Sequence, residues 1–371
     1  MKKEENPNAF KFWINKDLLQ RMAESLKSAD PKFDHKTFVA LAPKLDPLEL
    51  KPRVQLVRDQ LRAQLPQDFK QAVNTLLKSL KPGKIKGFDL WPYTEFVQTY
   101  GLDHPELSLK ALFELTQLFT SEFAVRPFIK KHPEQTMAFL LKCSTDKNVH
   151  VRRWASEGSR PRLPWGERLD TFVKNPKPAL PILENLKHDE ELYVRKSVAN
   201  HLNDIAKDNP EVLLSLLKKW QKSAGKAHQE KVEWITHRAL RTLIKDGNPK
   251  ALELIGADHK VKVKVSGLKL QKQAFKMNEK IEFEFKLQSQ AKKPQKLIVD
   301  YVVHHVKANK ETAPKVFKLK SVTMKPGETI SIHKRHHLKP ITTRKYYSGV
   351  HIIEIQVNGR IYAASKWNLQ V

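Results

Sequence analysis

The feature that most restricts this chain is a change of hydrophobic period near residue 258. From about residue 16 to 255, apolar residues return at helical spacing in segments of about 10 to 17 residues set apart by Pro, Gly, Asn or Asp. DLLQRMAESLKS, ELSLKALFELTQLF, EQTMAFLLKCS and PEVLLSLLKKWQ are examples, and Leu109, Leu112, Leu115 and Phe119 trace one stripe. Beyond 258 the period becomes two, in VKVKVS, KIEFEFKLQ, KLIVDYVVHHV, KVFKLK, TISIH, GVHIIEIQV and RIYAASKWNL. Met277-Asn278, Lys293-Pro294, Lys325-Pro326-Gly327 and Asn358-Gly359 break these runs, the last as a hairpin signal. A helix cannot bury a face of period two, nor a strand one of period 3.6, so two kinds of domain are required. The 371 residues are enough for two or three domains.

The helical part repeats. Asp146 is followed by Val151-Arg152-Arg153, and Asp189 by Val194-Arg195-Lys196, about 43 residues on; His237-Arg238 stands in register but has Val232 in place of the Asp. That period indicates HEAT-like helix pairs. The expected fold is therefore multidomain α plus β, a HEAT-like α-solenoid over 1–257 followed by an immunoglobulin-like β-sandwich of about seven strands over 258–371. Arg152, Arg195 and Arg238 are assigned to a ladder of hydrogen bonds between repeats.

The charge points to a polyanion. Lys and Arg number 68 against 40 Asp and Glu, a net charge of +28, and 258–371 alone carries 24 Lys and Arg against 8 acids. Much of this lies in HKRHHLKPITTRKYY, where Lys334, Arg335, His336 and His337 are the candidate phosphate contacts, against a solvated loop as the plain alternative. A single cysteine, Cys143, excludes an internal disulfide and any cluster of thiolates. The opening MKKEENPNAFKFWINK has no apolar export region and no stretch is long enough to span a membrane, so a cytoplasmic protein without membrane attachment is expected. His304-His305 and His336-His337 alternate across a strand and cannot chelate as pairs; no metal or other cofactor is expected.

The stretch that carries chemistry is VRRWASEGSRPRLPWG, Val151 to Gly166. A helix ending at Gly158 places Arg153, Trp154 and Glu157 near one face, with Glu157 in the last turn. A carboxylate there faces the negative end of the helix dipole, so stability alone does not account for it. Arg160, Arg162 and Trp165 follow at once.

This segment resembles the motif of the AlkC- and AlkD-type DNA alkylation repair glycosylases. The helical array with a C-terminal immunoglobulin-like domain ending in SKWNLQV is similar to the AlkC branch. The resemblance implies hydrolysis of the N-glycosidic bond of cationic bases in duplex DNA, 3-methyladenine above all and also 3-methylcytosine and 1-methyladenine, by a monomer. Glu157 is then the first choice for the carboxylate that stabilises the oxocarbenium-like sugar and positions water, with Glu122 and Asp204 as further acids. For Glu122 the plain alternative is the first turn of a helix capped by Ser121. Trp165 is expected against the lesion or its sugar, and Trp154 in the core. Arg153, Arg160 and Arg162 would hold flanking phosphates. The rival is a HEAT scaffold that grips nucleic acid or an acidic protein without catalysis; it has no use for carboxylates facing phosphate. A nuclease ranks last, lacking a metal motif or P-loop.

Overall fold

The computed structural model describes residues 8–341 and 344–371, so the first seven residues of the opening segment and Thr342 and Thr343 of the basic run lie outside it. The described residues form sixteen α-helices followed by eight strands. They divide into two compact units, Met1–Asn209 and Pro210–Val371. The change from helix to strand therefore falls inside the second unit.

In the first unit the helical stripes meet as the spacing requires. Leu109, Leu112 and Leu115 are buried on the Pro105–Thr116 helix, whereas Phe119 lies past its end. The Val149–Gly158 helix is capped by Asn148, whose side chain accepts from His150 N. The ladder forms between this helix and Leu192–Asp208. Arg152 donates to both Asp189 oxygens at 2.6 and 3.1 Å and to the Asp146 carbonyl at 3.0 Å; Arg195 donates to the Asp189 carbonyl at 2.6 Å. Arg238 departs from the expectation and lies over the Trp234 ring.

In the second unit β1 (Val263–Leu270), β3 (Lys280–Ser289) and β6 (Thr329–His337) form one sheet in the order β1-β3-β6. The other runs β2-β8-β7-β4-β5, with β2 Ala274–Lys276, β4 Gln295–Val306, β5 Thr312–Met324, β7 Gly349–Val357 and β8 Arg360–Gln370. Alternate residues, among them Phe283, Phe285, Val299, Tyr301, Ile353, Ile355 and Trp367, build the core between the sheets. The hairpin at Asn358-Gly359 has both residues at positive φ, as its sequence signal demands. β2, too short for a period-two signal, pairs in parallel with β8.

Strand β4 is buried on both faces, which explains why its pattern reads as a continuous apolar run. The helices of 210–257 pack on this sheet. Gln356 donates to the Lys245 carbonyl at 2.6 Å, and Lys296 to that of Ile255 at 2.6 Å. At Gly359 a Cβ would lie 2.0 Å from the Gly247 Cα, so this contact needs glycine. The physical reason for a unit boundary before Pro210 is thus that these helices are fastened to the sandwich by such backbone contacts.

Candidate active site

The end of the Val149–Gly158 helix organises the site. Gly158 is its last residue and is required for space: a Cβ there would lie 2.6 Å from Val125 Cγ1. This draws the 122–125 turn against the helix end. The helix C-terminus, with Glu157 in its last turn, is compensated by a residue the sequence does not advertise. Arg126 donates to the carbonyls of Gly158 and Arg160 at 2.9 and 2.8 Å and to that of Glu167 at 2.5 Å. Burial pulls Arg126 down to about 10, and it stays charged at neutral pH.

Around Glu157 the structure gathers three carboxylates and two guanidiniums. Arg160, 6% exposed, donates to Glu157 Oε1 at 2.5 Å and to Asp204 Oδ2 at 2.8 Å. Arg153 lies 2.5 Å from Glu122 Oε2 and 3.7 Å from Glu157 Oε1. Ser197 Oγ donates to Glu157 Oε2 at 2.5 Å, and Thr120 Oγ1 to Glu122 Oε2 at 2.8 Å. Burial lowers the pKa of Arg160, but Glu157 and Asp204 outweigh it and hold the guanidinium above its ordinary value. Arg126, whose charge also acts on Glu122 and Asp204, brings a third guanidinium to the three carboxylates. Lys207 reaches Asp204 only from the surface, at 3.3 Å.

A cleft of about 310 Å³ opens onto Glu122, Glu157 and Arg160. Trp165, 61% exposed, stands at its rim with φ +65°. Bulky residues rarely adopt that region, and it costs on the order of 1–2 kcal/mol. The other walls are aromatic and were not singled out by sequence: Phe88, Trp91, Phe119 and Phe123. Phe88 meets Trp91 edge-on at 5.3 Å, and Trp91 stacks on Phe123 at 5.7 Å. Such residues, two in GFDLWPY and two in LFTSEFAV, look from sequence like ordinary core.

Several expectations change in three dimensions. Ser121 does not cap a helix; its hydroxyl donates to the Leu112 carbonyl, and Glu122 lies in a turn four residues before Arg126–Lys131. Asp204 is 2% exposed and stands behind Arg160. Arg160 is engaged by Glu157 and Asp204 and only 6% exposed, so it does not stand free for a phosphate as expected. Arg162 is paired with Asp208 through two bonds of 2.7 and 2.6 Å. Trp154 is fully buried, as expected of core.

The basic run of the second unit is half strand: residues 333–337 close β6 and alternate across it. Arg335 and His333 face outward against Glu282 and Glu284, at 2.9 and 3.1 Å. His336 points inward, 8% exposed, and meets the Tyr301 hydroxyl at 3.0 Å, so the expected phosphate contact at His336 is not available. His337 is exposed and Lys334 half-buried. His304 pairs with Glu354 at 2.8 Å, while His305 is buried. Among the described residues no group of His, Cys, Asp or Glu is arranged to hold a metal ion. Burial raises the Cys143 thiol to about 12, which removes it as a nucleophile near neutral pH. Among the described residues no helix is long and apolar enough to cross a membrane.

Fold and site together define a helical-repeat protein with an appended β-sandwich and an acid-bearing aromatic cleft. Residues 264–371 match the family described as the C-terminal Ig-like domain of the uncharacterised protein YhaZ. YhaZ of Bacillus subtilis is 38% identical over 349 residues, 94% of this chain and 95% of its own. The alkylpurine DNA glycosylase AlkC of Pseudomonas fluorescens, solved bound to DNA containing an abasic site analog, is 39% identical, with a TM-score of 0.92 over 98% of this chain and all of its own. The chain belongs to the AlkC family.

Proposed function

We infer that this protein is a DNA glycosylase that releases alkylated bases from duplex DNA. The observation that carries this reading is the pair Glu122 and Glu157 on one aromatic-walled cleft of a chain whose net charge is +28. A surface that only gripped phosphate would gain nothing from buried, preorganised carboxylates at its contact face. The relative's complex with DNA containing an abasic site analog supports the same reading.

The chemistry follows from the residues. A base alkylated on a ring nitrogen is cationic, so it departs with the bonding electron pair as a neutral molecule and needs no strong acid. Positive charge develops on the sugar. Glu157, its two oxygens fixed by Arg160 and Ser197, stabilises that charge without reorganising. Glu122 accepts from Thr120 and Arg153 through Oε2, while Oε1 is without a partner among the described residues. It is the oxygen placed to hold the water that bonds to C1′ and to take up its proton. Asp204 acts through Arg160 as a positioning residue, and Trp165 offers its exposed face to the lesion or its sugar.

Within this reading the substrates are 3-methyladenine, 3-methylcytosine and 1-methyladenine, the protein works as a cytoplasmic monomer, and 1–257 carries DNA binding and catalysis. The 258–371 domain adds phosphate contacts through Lys334, Arg335 and His337. Incubation with a duplex carrying one N3-methylated base, followed by alkaline cleavage of abasic sites, tests the activity. Glu157→Gln should lose about 10²- to 10³-fold in single-turnover excision. Wild-type excision by a folded variant removes Glu157 from this role.

A further inference from the structure

The aromatic wall of the cleft has a second side. Trp91, Phe123 and Trp165 also line a separate cavity of about 230 Å³, whose polar lining includes Glu95 and Gln98 from the Trp91–Tyr100 helix and Lys51 from the Leu50–Gln64 helix. The two cavities are therefore parted by the same three rings. We propose that this second cavity is a binding site for the free nucleobase after its release, a product site distinct from the cleft in which the bond breaks. The proposal rests on the glycosylase reading above.

Three observations lead to it. The first is size: at about 230 Å³ the cavity has room for a planar bicyclic base. The second is chemistry. Once the glycosidic bond breaks the base is neutral, so the carboxylates of the cleft no longer attract it by charge. A neutral heteroaromatic ring is held instead by stacking faces and by hydrogen-bonding groups at its edge. The second cavity supplies both. The Glu95 side chain is 14% exposed, and its nearest cation, Arg58, is 3.4 Å away. Burial raises the Glu95 pKa against the opposing pull of Arg58, Lys51 and a hydrogen bond from Gln98, and the carboxylate lining the cavity can accept from an exocyclic amino group. Gln98, which hydrogen-bonds Glu95, keeps its amide oxygen and a second N–H for the edge of a base. A phosphate is disfavoured there by Glu95 and Glu167.

The third observation is the connection. Trp165, exposed and at positive φ, is the outermost of the shared rings, and its carbonyl is fastened by Lys51 Nζ at 2.9 Å. A base leaving the cleft past this indole meets a ring that also lines the second cavity. Retention there keeps the product from rebinding against Glu122 and Glu157.

The test is titration of the full-length protein with free 3-methyladenine, followed by tryptophan fluorescence and calorimetry, beside single-turnover excision from a methylated duplex. Glu95→Gln preserves shape, and Gln98→Leu removes the second edge contact. Each should weaken base binding about tenfold, the worth of one buried hydrogen bond, with excision unchanged. Wild-type excision without saturable binding of the base overturns the product site and leaves the enzymatic reading intact. Equal binding by wild type and both variants overturns it as well, since the base then sits elsewhere. Failure of the enzymatic reading shows in the excision assay, as no release from the duplex.

Discussion

Two buried clusters, one in each unit, treat ionisable groups in opposite ways. In Met1–Asn209 five charged side chains, Glu122, Arg153, Glu157, Arg160 and Asp204, are held by one another in ion pairs. In Pro210–Val371 three histidines, His305, His336 and His351, are buried beside one another with a ring nitrogen each lacking a partner among the described residues. Burial holds His305 down to about 3 and His336 to about 4, and lowers His351 too. One cluster keeps its charges and arranges them; the other suppresses them. A site that must meet a developing cation needs fixed charge, whereas a sandwich core only needs its polar rings neutral.

That contrast is most exposed to failure at Arg160. Arg160→Met leaves Glu157 and Asp204 buried without their shared cation and should cost about 3–5 kcal/mol, seen as a lower urea midpoint. Arg160→Lys should rescue little, because one ammonium cannot serve two carboxylates as a guanidinium fork does. His336→Phe, between Tyr301 and Phe317, should change stability by less than about 1.5 kcal/mol. Similar losses for Arg160→Met and His336→Phe would erase the distinction.

Acid should weaken the second unit next. A histidine whose folded pKa lies below its ordinary 6.5 binds its proton more readily when unfolded. Its contribution is complete above pH 6.5 and is lost as pH falls towards 4, at about 1.4 kcal/mol per unit for each group. Asp300, raised by burial to about 6, works the other way, favouring the fold at low pH and losing that contribution as pH rises through 6. Two strongly shifted histidines against one carboxylate leave a net loss in acid. Denaturant midpoints of the β-sheet signal at pH 7, 6 and 5 measure it, and a flat profile contradicts the neutral cluster.

Smaller effects sharpen the comparison at the surface. Trp165→Ala should lower single-turnover excision about tenfold, or about 1.4 kcal/mol, while the unfolding midpoint hardly moves because the ring is exposed. Arg335→Ala should reduce the slope of log affinity against log salt by about one without changing the excision rate at saturation. Its ion pair with Glu282 is exposed on both sides and contributes little to folding.

Much of this was legible along the chain because it depends on neighbours in sequence. Helix and strand periods, the Asn358-Gly359 turn and the placement of Glu157 one residue before the helix end are all local patterns, and the Asp189-to-Arg152 ladder, 37 residues apart, was legible because its motif repeats. Which charges meet is not local. Arg160 and Asp204 lie 44 residues apart in the chain, and the same guanidinium read as a phosphate contact becomes a buried bridge once the next repeat packs against it. Arg126, the ring wall from Phe88 to Phe123 and the inward turn of His336 carry no mark distinguishing them from core, charge or surface. Their roles arise only when packing sets the burial and the partners of each group, since desolvation and pair distance, rather than residue type, determine what a charge or a ring can do.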